Sequence, residues 1–229
     1  MDGHQNPNRS AIIGAFAALA AMCLAIGIGA LGLAQGGTTM IEIAKMTPGA
    51  PPSDFDFART GQGPPGQWGV VADTSAHLSR AIEQSNTDRT DYRFPLAIYR
   101  PLSARNLDAT LRFKAISGRV DQAGGIALRV LDADNYYVVR ANALEDNVRF
   151  YHVIKGRRTE LKGANLKVAS NVWHALGLKA EGERFTVSYD GQVLYTVTDR
   201  TLNGAGRVAL WTKADSVTRF DRIEIKTLP

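Results

Sequence analysis

Two arginines occupy matching positions on neighbouring stretches in which apolar and polar residues alternate. Arg140 and Arg149 each lie between two apolar residues, and Asn142 and Tyr151 follow them by two positions. Residues two apart on a strand share a face, so this spacing predicts a polar sheet face. Guanidinium groups on such a face, with Arg129 as a third candidate, bind sugar hydroxyls or a carboxylate. The alternative is a solvated face whose arginines pair with acidic residues.

Trp211 and Lys213 form a second candidate pair, because they alternate with Leu210 and Thr212. An indole ring on this face can stack on a sugar ring, or it can cap the edge of the core. Trp173 is predicted to fill the core. The predicted substrate-binding residues are therefore Arg140, Asn142, Arg149, Tyr151, Trp211 and Lys213.

No residue pattern in the sequence identifies a catalytic group. Ordinary glycoside hydrolysis needs two carboxylates about 5 to 9 Å apart, and no carboxylate-pair motif is found in the sequence. His77, His152 and His174 are scattered and form no compact set of metal ligands. His174 is in phase with apolar neighbours and is interpreted as structural. His152 is also in an apolar phase, with a base in a cleft as its alternative role.

The acidic turn that contains Asp132 and Asp134 has two interpretations. Loop carboxylates bind Ca²⁺ in some proteins, but Asp and Asn are also good turn formers. We predict no cofactor and no metal site. Ca²⁺ or another divalent cation at this turn remains the alternative.

Two hairpins are predicted from their turns. Asp190 and Gly191 separate two alternating runs, and this dipeptide favours a type I′ turn because both central residues need a positive φ. A second hairpin joins residues 135–143 to 147–154. Its apolar residues share one face only if the loop has an even number of residues, and this register places Arg140 beside Arg149.

The remaining strands follow the same alternation, with no long amphipathic helix pattern between them. They are predicted at residues 68–72, 77–82, 96–100, 107–116, 125–131, 172–180, 207–212 and 220–226. Regular spacing and hairpin turns indicate an all-β, antiparallel two-sheet sandwich of the jelly-roll type. Residues 54–58 are expected to pair with residues 220–226.

An apolar run precedes this domain. Residues 11–34 carry no charge, and as a helix they would be about 36 Å long, enough to cross a bilayer. Residues 1–35 are therefore predicted to be a signal-anchor or a cleaved signal peptide, residues 36–53 a flexible Gly/Pro tether, and residues 54–229 the sandwich. Arg9 before the run keeps the N-terminus in the cytoplasm, so the domain is extracytoplasmic, in the periplasm or at the cell surface. An uncleaved helix would anchor it in the membrane.

Charge and cysteine content narrow the function classes. The net charge is +5, with basic and acidic residues interspersed and no dense basic block, which argues against nucleic acid as a partner. The single cysteine, Cys23, lies in the apolar run, so residues 54–229 fold without disulfides. A domain of this length does not need them.

Three stretches together resemble the concanavalin A-like and laminin-G-like jelly rolls. They are GGIALRVLDADNYYVVRANALEDNVRFYHV at 124–153, WHALGLKAEGERFTVSYDG at 173–191 and GRVALWTKADSVTRFDRIEI at 206–225. More narrowly, they resemble the bacterial 3-keto-disaccharide hydrolase domain family, long a domain of unknown function. The resemblance implies a curved sandwich whose concave sheet can hold sugar.

Three functions follow from these observations. The leading one is an exported carbohydrate-engaging module, a binding or accessory domain at the cell envelope. The second is a hydrolase or lyase of 3-keto-glycosides, in which one base removes a proton made acidic by the keto group. The third is an envelope scaffold that binds protein.

Overall fold

The structure is a computed structural model that describes residues 36–229, and these form two packed antiparallel sheets. The strands in chain order are β1 Thr38–Met40, β2 Phe55–Gly61, β3 Trp68–Ala72, β4 Arg80–Gln84, β5 Arg93–Ala104, β6 Leu107–Ser117, β7 Ala123–Asp132, β8 Asn135–Asn142, β9 Asn147–Ile154, β10 Arg157–Asn165, β11 His174–Glu181, β12 Arg184–Tyr189, β13 Gln192–Thr198, β14 Gly206–Thr212 and β15 Val217–Thr227. Two short 3₁₀ turns, Ile43–Lys45 and His77–Ser79, are the only helical elements within this range.

The strand order confirms the predicted sandwich. The eight-stranded sheet runs β13-β12-β11-β6-β15-β4-β3, with β1 also paired to β15, and the seven-stranded sheet runs β10-β9-β8-β7-β14-β5-β2. The predicted N-terminal hydrophobic helix lies outside the described residues. Among the residues from 36 onward, no helix has the length and apolar character needed to cross a bilayer.

The main core lies between the inner faces of the two sheets, where alternate residues of each strand meet. The ring of Phe185 on β12 packs against Tyr137 and Phe150 of the opposite sheet, with ring centroids 4.4 and 5.2 Å apart. All three rings are fully buried. Apolar burial of this kind is the dominant force that holds the two layers together.

Both predicted hairpins are confirmed. In the first, Asn142 pairs with Asn147 across a four-residue loop, so the register is the even one and Arg140 lies opposite Arg149. In the second, Asp190 and Gly191 have φ values of 46° and 80°. Both central residues of that two-residue turn therefore have the positive φ that a type I′ turn requires.

The segment expected to be a flexible tether is partly folded. Thr38–Met40 pairs with β15, and Ile41 and Ile43 are buried in the core. These residues, rather than residues 54–58, pair with the end of the chain. The predicted pairing of 54–58 with 220–226 is therefore wrong, because β2 instead lies beside β5 in the other sheet.

Two other elements also differ from the sequence prediction. Arg157–Asn165 was not predicted as a strand, because an edge strand without an apolar face shows no alternation. The strand predicted at 77–82 begins only at Arg80. Before it, Leu78 and Ser79 have positive φ values of 52° and 56° and form a 3₁₀ turn.

The seven-stranded sheet curls so strongly that its outer face is concave. The hydroxyls of Thr60 on β2 and Tyr136 on β8 are 2.7 Å apart, although three strands separate them. In a flat sheet these strands would be about 19 Å apart. Similarly, Arg158 on the edge strand β10 reaches the ring of Phe94 on β5, at 4.8 Å from its centroid. The curl brings side chains from distant strands together over one face.

Candidate functional site

Polar side chains gather at one end of this concave outer face, where β8 ends and β9 begins. We call this group the polar cluster: Asp121, Arg140, Asn142, Glu145, Asn147 and Lys213. Beside it lies the aromatic group, Phe94, Tyr136, Tyr151 and Trp211. Each member of either group is linked to another by a hydrogen bond, an ion pair or a ring contact described below.

All six residues predicted to bind substrate lie on this outer face. Arg140 is opposite Arg149, and Asn142 is beside the start of the same neighbouring strand. Trp211 pairs with Gly125, which in turn pairs with Arg140, so the tryptophan lies two strands away in the same row. Their common face follows from the period-two alternation of β8, β9 and β14.

Arg140 is the centre of the polar cluster and is buried. Its guanidinium donates to Glu145 Oε2 at 2.7 Å, to the Tyr151 hydroxyl at 3.2 Å and to Asn147 Oδ1. Burial alone would raise the pKa of Glu145, but Arg140 and Asn147 outweigh it and lower that pKa. Glu145 is half-exposed, and it therefore presents an ionised carboxylate at the surface.

Asp121 and Lys213 form a buried ion pair beside this centre, with Nζ 2.6 Å from Oδ2. Asn142 Nδ2 donates to the other carboxylate oxygen of Asp121. Burial raises the pKa of Asp121, and the bond to Lys213 opposes that rise only in part. Burial disfavours the charge of Lys213, but bonds to Asp121 and to the exposed Asp91 raise its pKa.

Arg149 lies further out on the same face. Its Nη2 donates to Asn165 Oδ1 at 2.7 Å, and its Nε is 3.5 Å from Glu160. A Cβ at Gly163 on the neighbouring strand would overlap the Arg149 side chain. The absence of a side chain at Gly163 therefore allows Arg149 to lie flat across β10.

Trp211 is fully buried, so its ring is not an exposed platform for a sugar. It stacks on Phe94, with ring centroids 5.2 Å apart, and its Nε1 donates to the Tyr136 hydroxyl at 3.2 Å. Burial raises the pKa of Tyr136, which remains a neutral hydrogen-bonding group. Of the two interpretations of Trp211, the structure favours the packing role.

Arg158 is a member of this face that the sequence pattern did not reveal. Its guanidinium carbon lies 4.5 Å from the ring centroid of Tyr151 and 5.9 Å from that of Trp211. Asp121 and Asn147 were missed as well. The signal that could have found Asn147 is its register opposite Asn142, but Asp121 lies in a loop and Arg158 on an edge strand without alternation.

Arg129 does not belong to the site. It is fully buried at a bulge of β7, where it has a φ of 50°, and donates to three backbone carbonyls.

Trp173 is not in the core. It is half-buried, donates to Ser75 Oγ at 3.0 Å and carries Arg112 and Lys114 against its ring. In β11 the even-numbered residues from His174 onward face the core, and Trp173 precedes them by one position and faces the other way.

The two histidines on inward-facing positions differ. His174 is buried and satisfied, with Nδ1 2.8 Å from Asp190 and Nε2 3.2 Å from Ala169 O, as its structural interpretation predicts. His152 lies on the inner face of the seven-stranded sheet, with Nδ1 3.7 Å from Asp199. It is therefore on the opposite side of the sheet from the polar cluster.

The Asp132 turn is organised by its own hydrogen bonds. Asp132 Oδ1 accepts from the backbone N–H of Asp134 at 2.7 Å and from Asn135 Nδ2 at 2.9 Å. This is the geometry of an aspartate that stabilises a turn. Between residues 36 and 229, no three His, Cys, Asp or Glu side chains are grouped in a way that suits a metal ion.

The arrangement can do two kinds of chemistry. The polar cluster places donors and acceptors side by side, with Glu145 exposed and most of the other members buried, and groups of both kinds suit hydroxyl-rich molecules. The raised pKa of Asp121 also suits proton transfer, because a carboxyl with a pKa nearer neutrality is a better acid–base catalyst. Its ion pair with Lys213 and its burial restrict access to it in this state.

A scan against models of protein families found no match, and a search of curated proteins also found none. Solved structures do resemble this fold. The carbohydrate-binding module CBM66 from Bacillus subtilis is 19% identical with a TM-score of 0.59, covering 73% of this chain and 94% of that one. A Bacillus subtilis protein of unknown function with a galectin-like fold is 8% identical with a TM-score of 0.54, covering 76% and 91%.

An enzyme shares the same architecture. The β-glucanase of Bacillus licheniformis is 13% identical with a TM-score of 0.51, covering 79% of this chain and 95% of that one. At such identities the likeness shows the fold alone. The chain therefore shares with these structures the two-sheet antiparallel sandwich that the sequence predicts.

Proposed function

We propose that this chain binds carbohydrate on the concave outer face of its seven-stranded sheet, as an exported binding or accessory module of the cell envelope. The observation that carries the proposal is the convergence of Arg140, Asn147 and Glu145 at the rim of that face. This network fixes a guanidinium, an amide and a carboxylate in one place. A preorganised polar group loses little freedom when it binds a ligand.

The composition of the face supports a saccharide in particular. A sugar hydroxyl both donates and accepts, so its site needs donors and acceptors side by side. Arg149 supplies donors on this face, and Glu145 and Asp91 supply exposed acceptors. A site for a purely apolar ligand would not hold so many fixed charges.

The names of the similar structures also support the proposal. One is a carbohydrate-binding module and another is a β-glucanase, and both share this sandwich. The fold hosts many functions, so these names favour the saccharide class without choosing a sugar. The 3-keto-disaccharide hydrolase family, which three stretches of the sequence resemble, belongs to the same ligand class.

The proposed location rests on the N-terminal sequence. The uncharged run 11–34 and the preceding Arg9 are expected to deliver the sandwich outside the cytoplasm. A fusion of the full chain to a reporter enzyme that works only outside the cytoplasm should be active. An inactive fusion that is stably produced would contradict export.

Hydrolysis or elimination of 3-keto-glycosides is the second candidate, and Asp121 is the observation that favours it. A keto group at C3 makes the C2 proton acidic, so a base can remove it while the C1–oxygen bond breaks and the departing oxygen takes up a proton. The raised pKa of Asp121 suits such a base. Turnover that disappears in Asp121→Asn would establish this activity.

Calorimetric titration of the full chain with a panel of neutral and acidic oligosaccharides tests the proposal. We expect saturable binding, and we expect Arg149→Ala to weaken it about tenfold because a charged donor is lost. Arg184→Ala is the matched control, since this exposed arginine begins β12 of the other sheet. It removes the same charge and should leave affinity unchanged.

The outcomes separate the candidates. Binding without turnover, weakened by Arg149→Ala alone, supports the binding module. Turnover of 3-keto-glycosides, with or without an added divalent cation, favours the enzyme. An absence of saccharide binding and turnover by protein that unfolds cooperatively would refute both.

A further inference from the structure

Arg158 lies among aromatic rings on the concave face. It extends from the edge strand β10, and its guanidinium carbon is 4.5 Å from the Tyr151 ring centroid and 4.8 Å from that of Phe94. A guanidinium against ring faces is attracted by their negative π-surfaces. The rings therefore hold the cation in place without using its N–H donors.

One of those donors lacks an acceptor. Arg158 Nη1 is buried and has no hydrogen-bond partner in the part of the chain that the structure describes. Arg140, whose guanidinium carbon is 5.8 Å from the same Tyr151 ring, also has a buried Nε without a partner. A charged donor left without an acceptor is costly, and two such donors beside one tyrosine are more than packing requires.

The other cations of this face are neutralised. Glu145 pairs with Arg140, Glu160 lies beside Arg149, and Lys213 contacts two aspartates. Within residues 36–229 no carboxylate lies within 4.0 Å of Arg158. The surplus positive charge of the concave face is therefore concentrated at this side chain.

We propose that the ligand of the concave face is a carboxylated saccharide, a chain containing uronic acid residues, and that Arg158 binds its carboxylate. This inference rests on the proposed function. A carboxylate accepts two parallel bonds from a guanidinium, which a neutral hydroxyl does not. Arg158 is half-buried, so part of its side chain is open to a ligand.

A matched pair of ligands isolates the carboxylate. The full chain is titrated with short oligomers of galacturonate and glucuronate, and with the methyl esters of the same oligomers. Each ester keeps the ring stereochemistry and replaces the charged carboxylate by a neutral methyl ester. We expect the acids to bind about tenfold more tightly than the esters at low salt, and we expect about 0.5 M salt to reduce that ratio.

A pair of variants assigns the preference to Arg158. Arg158→Gln should bring the acid-to-ester ratio close to one. Arg157→Gln removes the same charge one residue earlier on the same strand, from an exposed side chain, and should leave the ratio unchanged. Arg158→Lys keeps the charge without the fork and should retain only part of the preference.

Each result has one meaning. Equal binding of acids and esters by the unaltered chain overturns this inference and leaves carbohydrate binding intact. A preference for acids that persists in folded Arg158→Gln also overturns the assignment. Failure of every saccharide in the panel to bind overturns the proposed function itself.

Discussion

Arg93 and Arg129 are fully buried, yet each serves the backbone rather than a carboxylate. Arg93 donates to the carbonyls of Pro64, Pro65 and Ala214 at 2.5–3.0 Å. Loop carbonyls that lie inside a protein need donors, and one guanidinium supplies three at once. These two side chains therefore hold loops against the strands at places that have no backbone hydrogen bonds between strands.

Replacement of Arg129 should be strongly destabilising. Arg129→Met leaves three carbonyls without the buried guanidinium that now donates to them, and we expect a loss of about 3 kcal/mol in the free energy of unfolding. Chemical denaturation measures it. Arg105→Met, at an exposed side chain nearby, should change stability by no more than about 0.5 kcal/mol. Equal effects of the two variants would contradict the backbone role of Arg129.

Asp73 makes the free energy of unfolding depend on pH in the acid range. Burial alone would raise its pKa, but hydrogen bonds from Lys114, Ser75 and Arg219 outweigh burial and hold the pKa well below the ordinary 3.8. A carboxylate with a depressed folded-state pKa contributes stability that is present above its unfolded pKa and lost as pH falls below it. Denaturation should therefore show stability falling below about pH 4.

The control for that pH dependence is Asp73→Asn. It removes the titrating group, so stability should be lower near neutral pH and should fall less steeply in acid than in the unaltered chain. Parallel pH profiles for the two proteins would show that Asp73 is not the source.

For individual residues of the candidate site, the sequence predicted the face of the sheet better than the role of the side chain. Alternation placed Arg140, Arg149 and Tyr151 on one face, as the structure has them. It did not indicate that Trp211 is fully buried on that face, because phase shows which side a residue takes and not what covers it. Burial depends on the curl of the sheet, which no single strand encodes.

The hairpins are the elements whose sequences determine their structure most directly. At the β12–β13 turn, Asp190 and Gly191 both adopt positive φ, which costs an L-residue about 1–2 kcal/mol and glycine almost nothing. Local chemistry therefore fixes this register before any distant contact forms.

Gly191→Ala should accordingly lower the free energy of unfolding by about 1 kcal/mol. Gly204→Ala is the matched control, because Gly204 has no positive φ and a Cβ there would meet no atom within 4 Å. Thermal and chemical denaturation of both variants provide the comparison. A Gly191→Ala protein as stable as Gly204→Ala would argue against the turn geometry.

Two strands, β1 and β10, were not predicted from the sequence because neither shows an alternation of apolar and polar residues. β10 is an exposed edge strand that needs no apolar face, and β1 lies in a segment that its glycines and prolines marked as a tether. β1 is a strand because it pairs with β15, which is distant in sequence, and β10 is a strand because it pairs with β9 across the Lys155–Gly156 turn. Tertiary pairing, rather than propensity, decides such segments.

At the scale of the whole molecule, the two sheets have different tasks. The eight-stranded sheet and the inner face of its partner form the main core, while the curl of the seven-stranded sheet gathers charged and aromatic side chains on its outer face. The contact between Thr60 and Tyr136 across three intervening strands maintains that curl. The seven-stranded sheet therefore provides both the concave face and the charged and aromatic side chains on it.

Backbone amide chemical-shift changes in the full chain, on titration with an oligosaccharide that binds, locate the saccharide contact and test whether it lies on the concave outer face. We expect the largest changes at the end of β8, the start of β9 and the β14 residues beside them. Changes confined to the eight-stranded sheet, with those strands unaffected, would contradict this expectation.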